Sequence, residues 1–199
     1  MKNKICIRGA GGLAIEVCAW AEHSGYEVVA FVDEYPQSSE LLGIPVVGRE
    51  KYDERFPITI AIGDPRTRER IVSEELSSAT FATIIHPSAI IGRTSEIGSG
   101  SVIHPNAVIT SNVKIGAHTQ LYTATTVGHG CEIGDFFTTA PGAVISGDCR
   151  IGDRVYFGTN SSIKQKLTVV DDVTVGLGAG VVKNITQAGV YVGVPAKAV

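Results

Sequence analysis

The sequence lacks the features of a membrane or nucleic-acid-binding protein. Its 199 residues carry a formal net charge of -3, and its 17 lysines and arginines are scattered along the chain. This charge pattern disfavours nucleic acid or an anionic membrane as a partner. No apolar run approaches the roughly 20 residues of a membrane span. The opening MKNKICIRGAGG turns glycine-rich too early for the core of a signal peptide. We therefore expect a soluble, cytoplasmic protein.

The cysteines form no pairing or metal-binding motif. Cys6, Cys18, Cys131 and Cys149 include no CxxC pair and no metal-ligand spacing. Such a pattern is typical of reduced, packed thiols. The spacing of Cys131 and Cys149 is a multiple of the sequence repeat described next, so these two thiols are expected to stack inside the fold.

A period of six residues runs through the second half of the chain. Stepping by six from Ile91 to Val181 gives 16 positions, of which 14 are aliphatic, with no insertion. The next position is often glycine, as at Gly92 and Gly128, and the position two before is mostly small or β-branched. This period matches neither a helical stripe nor a simple strand alternation. It predicts a solenoid of short parallel strands.

Residues 1–85 have a different pattern, that of a βαβ unit. KICIRGAGGLAIEVCAWAEHSGYEVVAFVDE predicts a strand, a glycine turn, a helix from about Leu13 to Ser24 and a second strand ending at Asp33. A turn of Gly9, Gly11 and Gly12 lets the backbone approach phosphate at a helix N-terminus, and an acid about 20 residues on can bind a ribose hydroxyl. The alternative is that these glycines serve packing alone.

A second βα unit follows. ITIAIGDPRTRERIVSEEL predicts a strand from Ile58 to Ile62, a turn at Gly63 and a helix with Asp64 as N-cap and proline at its first position. Arg66 and Arg68 could meet phosphate at this edge of the sheet, although solvated helix arginines are the alternative. About 80 residues make half of a doubly wound sheet, which suits a mononucleotide and excludes a full NAD-binding domain.

The hexapeptide pattern and the closing VYVGVPAKAV resemble the hexapeptide-repeat acyltransferases, whose chain winds as a left-handed parallel β-helix with three strands in each 18-residue coil. VGHGCEIGDF, continued by APGAVISGDCRIGDRVYFGTNSSI, resembles the nucleotide-sugar N-acetyltransferases, including the UDP-4-amino-sugar enzymes of bacillosamine biosynthesis, and the related sialic acid O-acetyltransferases. The resemblance covers nearly the whole chain. It implies a small Rossmann-like, nucleotide-sugar-binding domain over residues 1–85 and a left-handed β-helix acetyltransferase domain with a C-terminal cap over residues 86–199.

His129 is the candidate catalytic residue. Because one coil holds 18 residues, Gly147 lies one coil above His129, and no side chain covers the imidazole. Imidazole titrates near neutral pH and is the commonest general base. In the enzymes that the motif resembles, this histidine is the base on the acceptor amine or hydroxyl, which attacks acetyl-CoA directly. The Gly147 position would offer a backbone N–H to the thioester oxygen.

Three departures from the family pattern surround this histidine. Relatives commonly carry an acid directly after it, where this chain has Gly130, and asparagine where it has Tyr122. A second histidine found in some relatives is Thr138 here. Glu132 and Asp135 are the nearby acids, and the sequence does not place either against the imidazole. Tyr122 suggests a different acceptor sugar.

The resemblance also implies the binding residues. The nucleotide-sugar site is expected at two glycine turns and the acids after the second strand: Gly9, Gly11, Gly12, Asp33, Glu34, Gly63, Asp64 and Arg66. Acetyl-CoA is expected along the β-helix and its cap, with small residues leaving space for the pantetheine arm and a lysine near the nucleotide: Gly147, Thr159, Gly176, Gly178 and Lys183. No metal is expected.

These features together predict transfer of acetyl from acetyl-CoA to the amino group of a nucleotide-linked, UDP-type sugar in glycan biosynthesis. The family implies a homotrimer in which sugar held by one subunit meets His129 of a neighbour. Two alternatives stay open: O-acetylation of a sugar such as sialic acid, and a non-catalytic nucleotide-sugar-binding protein. A metal-dependent hydratase is disfavoured because His104, His118 and His129 fall in three different rows of the repeat.

Overall fold

The computed structural model describes residues 3–199 and shows an α/β region followed by a parallel β-solenoid. The α/β region contains five strands and two α-helices: β1 (Asn3–Arg8), α1 (Gly12–His23), β2 (Tyr26–Val32), β3 (Glu40–Leu41), β4 (Ile44–Val47), β5 (Ile58–Ile60) and α2 (Pro65–Arg70). A 3-10 turn spans Arg49–Lys51, and a π-helical turn, Ile71–Glu75, continues α2. The predicted first helix and the two strands that flank it are confirmed, and the third predicted strand begins at Ile58 as expected but ends at Ile60, two residues before the predicted end.

The five strands form one sheet in the order β3-β4-β2-β1-β5, with β2, β1 and β5 parallel. Parallel strands place their carboxyl ends at one edge, so the turns after β1 and β5 are neighbours. Gly9 has φ +111°, and a Cβ built there would lie 3.1 Å from the carbonyl oxygen of Ala61. Glycine at position 9 therefore lets these two turns approach each other.

The solenoid has three faces, each a parallel sheet except for one antiparallel strand at the C-terminus. The first face contains Ile84–Ile85, Val102–Ile103, Gln120–Leu121, Thr138–Thr139, Tyr156–Phe157, Val173–Val175, Gly189–Val192 and Lys197–Ala198. The second contains Ile90–Ile91, Val108–Ile109, Thr126–Val127, Val144–Ile145, Ser162–Ile163 and Gly180–Val181. The third contains Glu96–Ile97, Lys114–Ile115, Glu132–Ile133, Arg150–Ile151 and Thr168–Val169. This arrangement confirms the left-handed β-helix expected from the sequence.

The strand register confirms that residues 18 positions apart in the sequence lie above one another in adjacent coils. Val127 pairs with Ile109 below and Ile145 above, and the pairing repeats on the other two faces. The periodic aliphatic residues point inward and form one buried core with the small residues two positions before them, including the free thiols of Cys131 and Cys149. After Val182 the period breaks as predicted: Val175 pairs with Tyr191, whereas an unbroken period would pair it with Gly193.

The α/β region packs against the first face. The Gln120 side-chain amide donates to the carbonyl of Ile60 at 2.7 Å, and the Thr138 hydroxyl donates to the carbonyl of Gly63 at 3.1 Å. Ile84–Ile85 pairs with Val102–Ile103, so these two residues already lie in the first coil. The division at residue 86 stays a prediction.

Candidate active site

His129 lies on the corner that joins the second and third faces, between Thr126–Val127 and Glu132–Ile133. We call it the histidine corner. Its side chain is 66% exposed, so the imidazole is open to a ligand from outside the prism. The α/β region sits on the first face, which is the side opposite this corner.

The imidazole of His129 lies directly against Gly147. A Cβ built on Gly147 would be 2.8 Å from Nε2 and 2.9 Å from Cε1. The sequence places no side chain over the imidazole, which would leave an open groove above the ring. The structure corrects this, because the ring itself occupies the space that a side chain at position 147 would fill. Glycine is therefore what allows the ring to take this position.

The Gly147 amide differs from its equivalents at another corner. Where the third face turns into the first, the N–H groups of Ala117, Asp135 and Asp153 each donate to an aspartate carboxylate one coil above, at 2.7 to 3.0 Å. The residue one coil above Gly147 is Gln165, and within residues 3–199 the Gly147 N–H makes no such bond. This amide therefore has no hydrogen-bond partner within these residues.

The carboxylates near His129 have different partners. Glu132 pairs with Arg150, and the Asp135 carboxylate accepts the Ala117 N–H. Asp148 faces the imidazole, with its Oδ1 3.6 Å from His129 Nδ1. The two acids suggested by sequence proximity are therefore occupied elsewhere.

A cavity of about 980 Å³ opens where the α/β region meets the first face. We call it the docking cavity. Its walls come from the turn after β5, the outer side of the first face and the cap. The polar and aromatic lining residues are Asp64, Arg66, Tyr122, Thr139, Arg154, Tyr156, Thr159, Asp172 and Thr174. Its volume lies at the upper end of the range of roughly 300 to 1,000 Å³ that is usual for small-molecule sites.

Tyr122 forms part of the wall of this cavity. Its ring stacks on His104 with centroids 4.4 Å apart, and a Cβ built on Gly63 would be 3.1 Å from its hydroxyl oxygen. Burial raises the pKa of Tyr122 to about 12, so the phenol stays neutral and able to donate a hydrogen bond. The departure from the family's asparagine thus lies at the docking cavity.

A smaller cavity of about 250 Å³ lies at the glycine turn after β1 and is lined by Ala10, Gly11, Asp33, Tyr35 and other residues of the β2–β4 region. One oxygen of Asp33 accepts the Ala10 N–H at 3.1 Å, and the other accepts the Tyr35 N–H at 3.0 Å. The carboxylate therefore shapes the turn, and Tyr35, 76% exposed, presents an aromatic ring beside it.

Arg68 is buried between the α/β region and the β-helix. It is 1% exposed, and its guanidinium donates to the carbonyls of His118 and Phe136 on the β-helix at 2.8 Å and to that of Ile62 at 2.9 Å. It also donates to the Thr138 hydroxyl at 2.8 Å. The hypothesis that Arg68 meets phosphate is therefore wrong, because the docked domain buries it as a link between the two regions.

Comparison with known proteins places this architecture in a family. The PglD N-terminal domain matches residues 4–74. The acetyltransferase domain of PglB from Neisseria gonorrhoeae FA1090, solved in complex with acetyl coenzyme A, is 33% identical, with 100% of both chains covered and a TM-score of 0.91. WeeI from Acinetobacter baumannii AYE is 31% identical, with 98% of this chain and 99% of that chain covered and a TM-score of 0.88.

The chain belongs to the hexapeptide-repeat sugar N-acetyltransferases. This confirms the resemblance drawn from the sequence. A further similar structure is a histidine-to-asparagine variant of perosamine N-acetyltransferase from Caulobacter crescentus in complex with CoA and GDP-perosamine. It is 27% identical, with 98% of this chain and 96% of that chain covered and a TM-score of 0.92.

The predicted nucleotide-sugar residues of this family member divide between the two cavities. Gly11 and Asp33 line the smaller cavity, whereas Gly63, Asp64 and Arg66 line the docking cavity. The remaining residues lie near the first group: Gly9 in the turn after β1, Gly12 at the first position of α1 and Glu34 directly after Asp33. Asp64 caps α2 as predicted, its Oδ1 accepting the Thr67 N–H at 2.7 Å.

The predicted acetyl-CoA residues divide between two corners of the prism. Gly147 and Lys183 lie on the histidine corner, one and three coils above His129. Thr159, Gly176 and Gly178 lie on the corner between the first and second faces. The two groups therefore lie on different edges of the prism.

The structure of the C-terminal cap contradicts the open space predicted at Gly176 and agrees with that at Gly178. The expected space at Gly176 is filled, because a Cβ built there would lie 2.8 Å from Cγ1 of Val192. Gly178 does face open space, with no atom within 4 Å of a built Cβ. The strand Gly189–Val192 folds back over the last coil and produces this difference.

The other β-helix histidines are structural. His104 and His118 are buried, at 0% and 6% exposure, and burial lowers the pKa of each to about 4. Their rings stack on Tyr122 and Phe136 respectively. Within residues 3–199 no group of three or more histidine, cysteine or acidic side chains could hold a metal ion, and no helix is long and apolar enough to span a membrane.

Some site residues were missed by sequence analysis. Tyr156, Arg154 and Asp172 line the docking cavity, and Asp172 pairs with both Arg154 and Arg66 at 3.0 and 3.2 Å. Their outward positions in the repeat look like ordinary surface until the α/β region docks on them. Asp148 could have been found, because it follows Gly130 by one full coil and therefore lies directly above the residue that follows His129.

Proposed function

We propose that this chain transfers acetyl from acetyl-CoA to the amino group of a nucleotide-linked sugar, with His129 as the general base. The observation that carries the proposal is whole-chain similarity to an acetyltransferase domain bound to acetyl coenzyme A and to an N-acetyltransferase bound to CoA and GDP-perosamine. The exposed imidazole against Gly147 supports the same chemistry. The nucleotide sugar would be held by the docking cavity and by the smaller cavity at the turn after β1.

The proposed reaction needs no covalent enzyme intermediate. The amine nitrogen attacks the thioester carbon, a C–N bond forms, and the C–S bond breaks. Nε2 of His129 takes the proton from the amine and passes it to the departing thiolate, giving an amide and free CoA thiol. The free Gly147 N–H donates to the thioester oxygen as its negative charge develops.

A panel of acceptors tests the substrate class. Release of CoA thiol from acetyl-CoA is measured with 3-amino and 4-amino sugars linked to UDP, dTDP or GDP, and with matched sugars that carry hydroxyl in place of amine. We expect turnover on an amino sugar and none on its hydroxyl partner. Turnover only on a hydroxyl sugar would favour the O-acetyltransferase alternative. Binding of a nucleotide sugar without any turnover would favour a non-catalytic protein.

Gly147→Ala is expected to lower kcat by about 10- to 100-fold while leaving the fold intact. The added Cβ would lie 2.8 Å from Nε2 of His129, so the exposed ring must move away from its position. A displacement of about 1 Å can cost 100-fold in rate. Thermal unfolding should shift little, because the ring is free to swing outward. A kcat equal to wild type would show that the ring position is not needed.

We propose that the active unit is a homotrimer whose sites lie between subunits. His129 and the docking cavity are on opposite sides of one prism, so sugar in that cavity cannot reach the histidine of its own chain. The division of the acetyl-CoA set between two corners supports the same arrangement. Gly147 and Lys183 from one chain would face Thr159, Gly176 and Gly178 from the next across a shared groove.

Mixing two inactive variants tests this arrangement. His129→Ala removes the base, and Arg66→Glu reverses a charge in the docking cavity. Each variant alone should have little activity. If the base and sugar site of each active site come from different chains, an equal mixture reassembled from denatured subunits should recover about a quarter of wild-type activity. No recovery, with mixed trimers shown by native mass spectrometry, would place each site within one chain.

We further propose a cytoplasmic location. All four cysteines are buried free thiols, which suits a reducing compartment. The acetyl-CoA co-substrate is also an intracellular metabolite.

A further inference from the structure

Asp148 is the acid that faces His129. Within residues 3–199, it alone places a carboxylate oxygen within 4 Å of the imidazole, with Oδ1 3.6 Å from Nδ1. This separation is longer than a hydrogen bond, but both side chains are exposed, at 66% and 44%, and are free to close it by rotation. Catalytic hydrogen bonds are often long without substrate and shorten when it binds.

The glycine after His129 makes this approach possible. A Cβ built on Gly130 would lie 2.3 Å from the Asp148 carboxylate oxygen, so the carboxylate occupies the space of a side chain at position 130. The same relation holds for Gly142 beneath Asn160. His118 and Phe136 occupy the equivalent positions of two adjacent coils at another corner. Both carry a ring, and the two rings stack with centroids 5.2 Å apart. An acid at 130 and the observed Asp148 rotamer therefore exclude each other.

The backbone holds Asp148 at this place. Its N–H donates to the carbonyl of His129 at 2.7 Å, so the two residues are tied across adjacent coils. Its φ of +58° is the left-handed conformation common to this position in other coils, and aspartate tolerates it better than most residues do. The carboxylate is thus delivered to the Nδ1 side of the ring, while Nε2 lies against Gly147.

We propose that Asp148 is the positioning residue for His129 and replaces, from the coil above, an acid at position 130. This inference rests on the proposed function. Asp148 accepts a hydrogen bond from Nδ1–H, so the lone pair is left on Nε2, where the acceptor amine delivers its proton. The carboxylate keeps the ring in this orientation and stabilises the imidazolium that forms. A carboxylate that orients a histidine base in this way is a recurrent catalytic arrangement.

The test compares Asp148→Asn with a swap of the acid, Gly130→Asp/Asp148→Gly. The asparagine keeps the shape of the side chain and removes its charge. We expect kcat to fall by about 10- to 100-fold with KM nearly unchanged, and the swap to recover most of the loss because it returns a carboxylate to this corner. The swapped backbone is not strained, since both positions have φ near +60° and glycine and aspartate tolerate it.

A second readout does not depend on turnover. Nitrogen NMR of ¹⁵N-histidine protein, with the His129 signal assigned from the His129→Ala variant, reports which ring nitrogen carries the proton. Wild type and the swap should favour protonated Nδ1, and Asp148→Asn should lose that preference. An unchanged tautomer and a kcat within about threefold of wild type in Asp148→Asn would overturn the proposal. If wild type transfers no acetyl at all, the proposed function fails, and the tautomer still decides the role of Asp148.

Discussion

His129→Ala is expected to lower kcat by at least about 100-fold, the lower end of the range for loss of a general base. The side chain is 66% exposed and contributes no buried contact to the core, so the variant should remain folded. Its effect should appear in kcat more than in KM, because the proton is transferred only as the amine attacks. Steady-state release of CoA thiol with the acceptor found in the panel measures both constants.

A matched control is His23→Ala. His23 is also exposed, but it lies on α1 and contacts His86 at 2.9 Å, away from the histidine corner. Removing this second imidazole should leave kcat within about twofold of wild type, as is usual for surface substitutions. If both alanine variants retain wild-type turnover, another residue is the base and the site is elsewhere.

Arg68→Ala is expected to give the largest loss of stability, about 3 to 5 kcal/mol in the free energy of unfolding. The side chain is 1% exposed and bridges helix α2 to carbonyls of the β-helix. Its removal leaves the buried carbonyls of His118 and Phe136 without this donor, and each unsatisfied group costs about 1 to 3 kcal/mol. The burial that lowers the pKa of Arg68 to about 10 still leaves it charged at neutral pH, so the bonds that it donates are charge-assisted.

Urea unfolding measures this loss, with Arg70→Ala as the control. Arg70 follows Arg68 by two positions in the same helix, 54% exposed, with only loose pairs to Glu74 and Glu75 at 3.9 and 3.6 Å. Its removal should change stability by less than about 0.5 kcal/mol. Limited proteolysis should also show the α/β region of Arg68→Ala separating from the β-helix. Equal stability of the two variants would mean that Arg68 does not hold the regions together.

The β-helix could be predicted from the sequence because its interior imposes a period. Aliphatic residues such as Val127 recur every six positions because together they fill the interior of the prism. The 18-residue coil then brings residues that are distant in the sequence into contact. The 18-residue spacing predicts Gly147 above His129, and the structure confirms this position. The same spacing places Asp148 above Gly130. The residues that meet at the histidine corner could therefore be predicted from the sequence, whereas the position of the His129 imidazole against Gly147 could not.

Features that depend on docking and capping could not be predicted. Arg68 and Arg66 are equivalent in the helix pattern, and only contact with the first face makes one buried and the other exposed. Tyr156 and Asp172 become cavity walls by the same contact. Val192 covers Gly176 because the cap leaves the six-residue period and folds back. Packing between separate regions decides these positions, and no local pattern records it.

The chemical nature of the product shows directly whether acetyl is transferred to nitrogen and whether His129 is needed for the transfer. Wild type and His129→Ala are incubated in parallel with acetyl-CoA and the accepted amino sugar, and the product is analysed by NMR and by treatment with hydroxylamine, which cleaves esters and spares amides. Acetyl bound to the sugar nitrogen, resistant to hydroxylamine and formed only by wild type, is the predicted result. A hydroxylamine-sensitive acetyl ester, or an amide formed equally fast by His129→Ala, would contradict it.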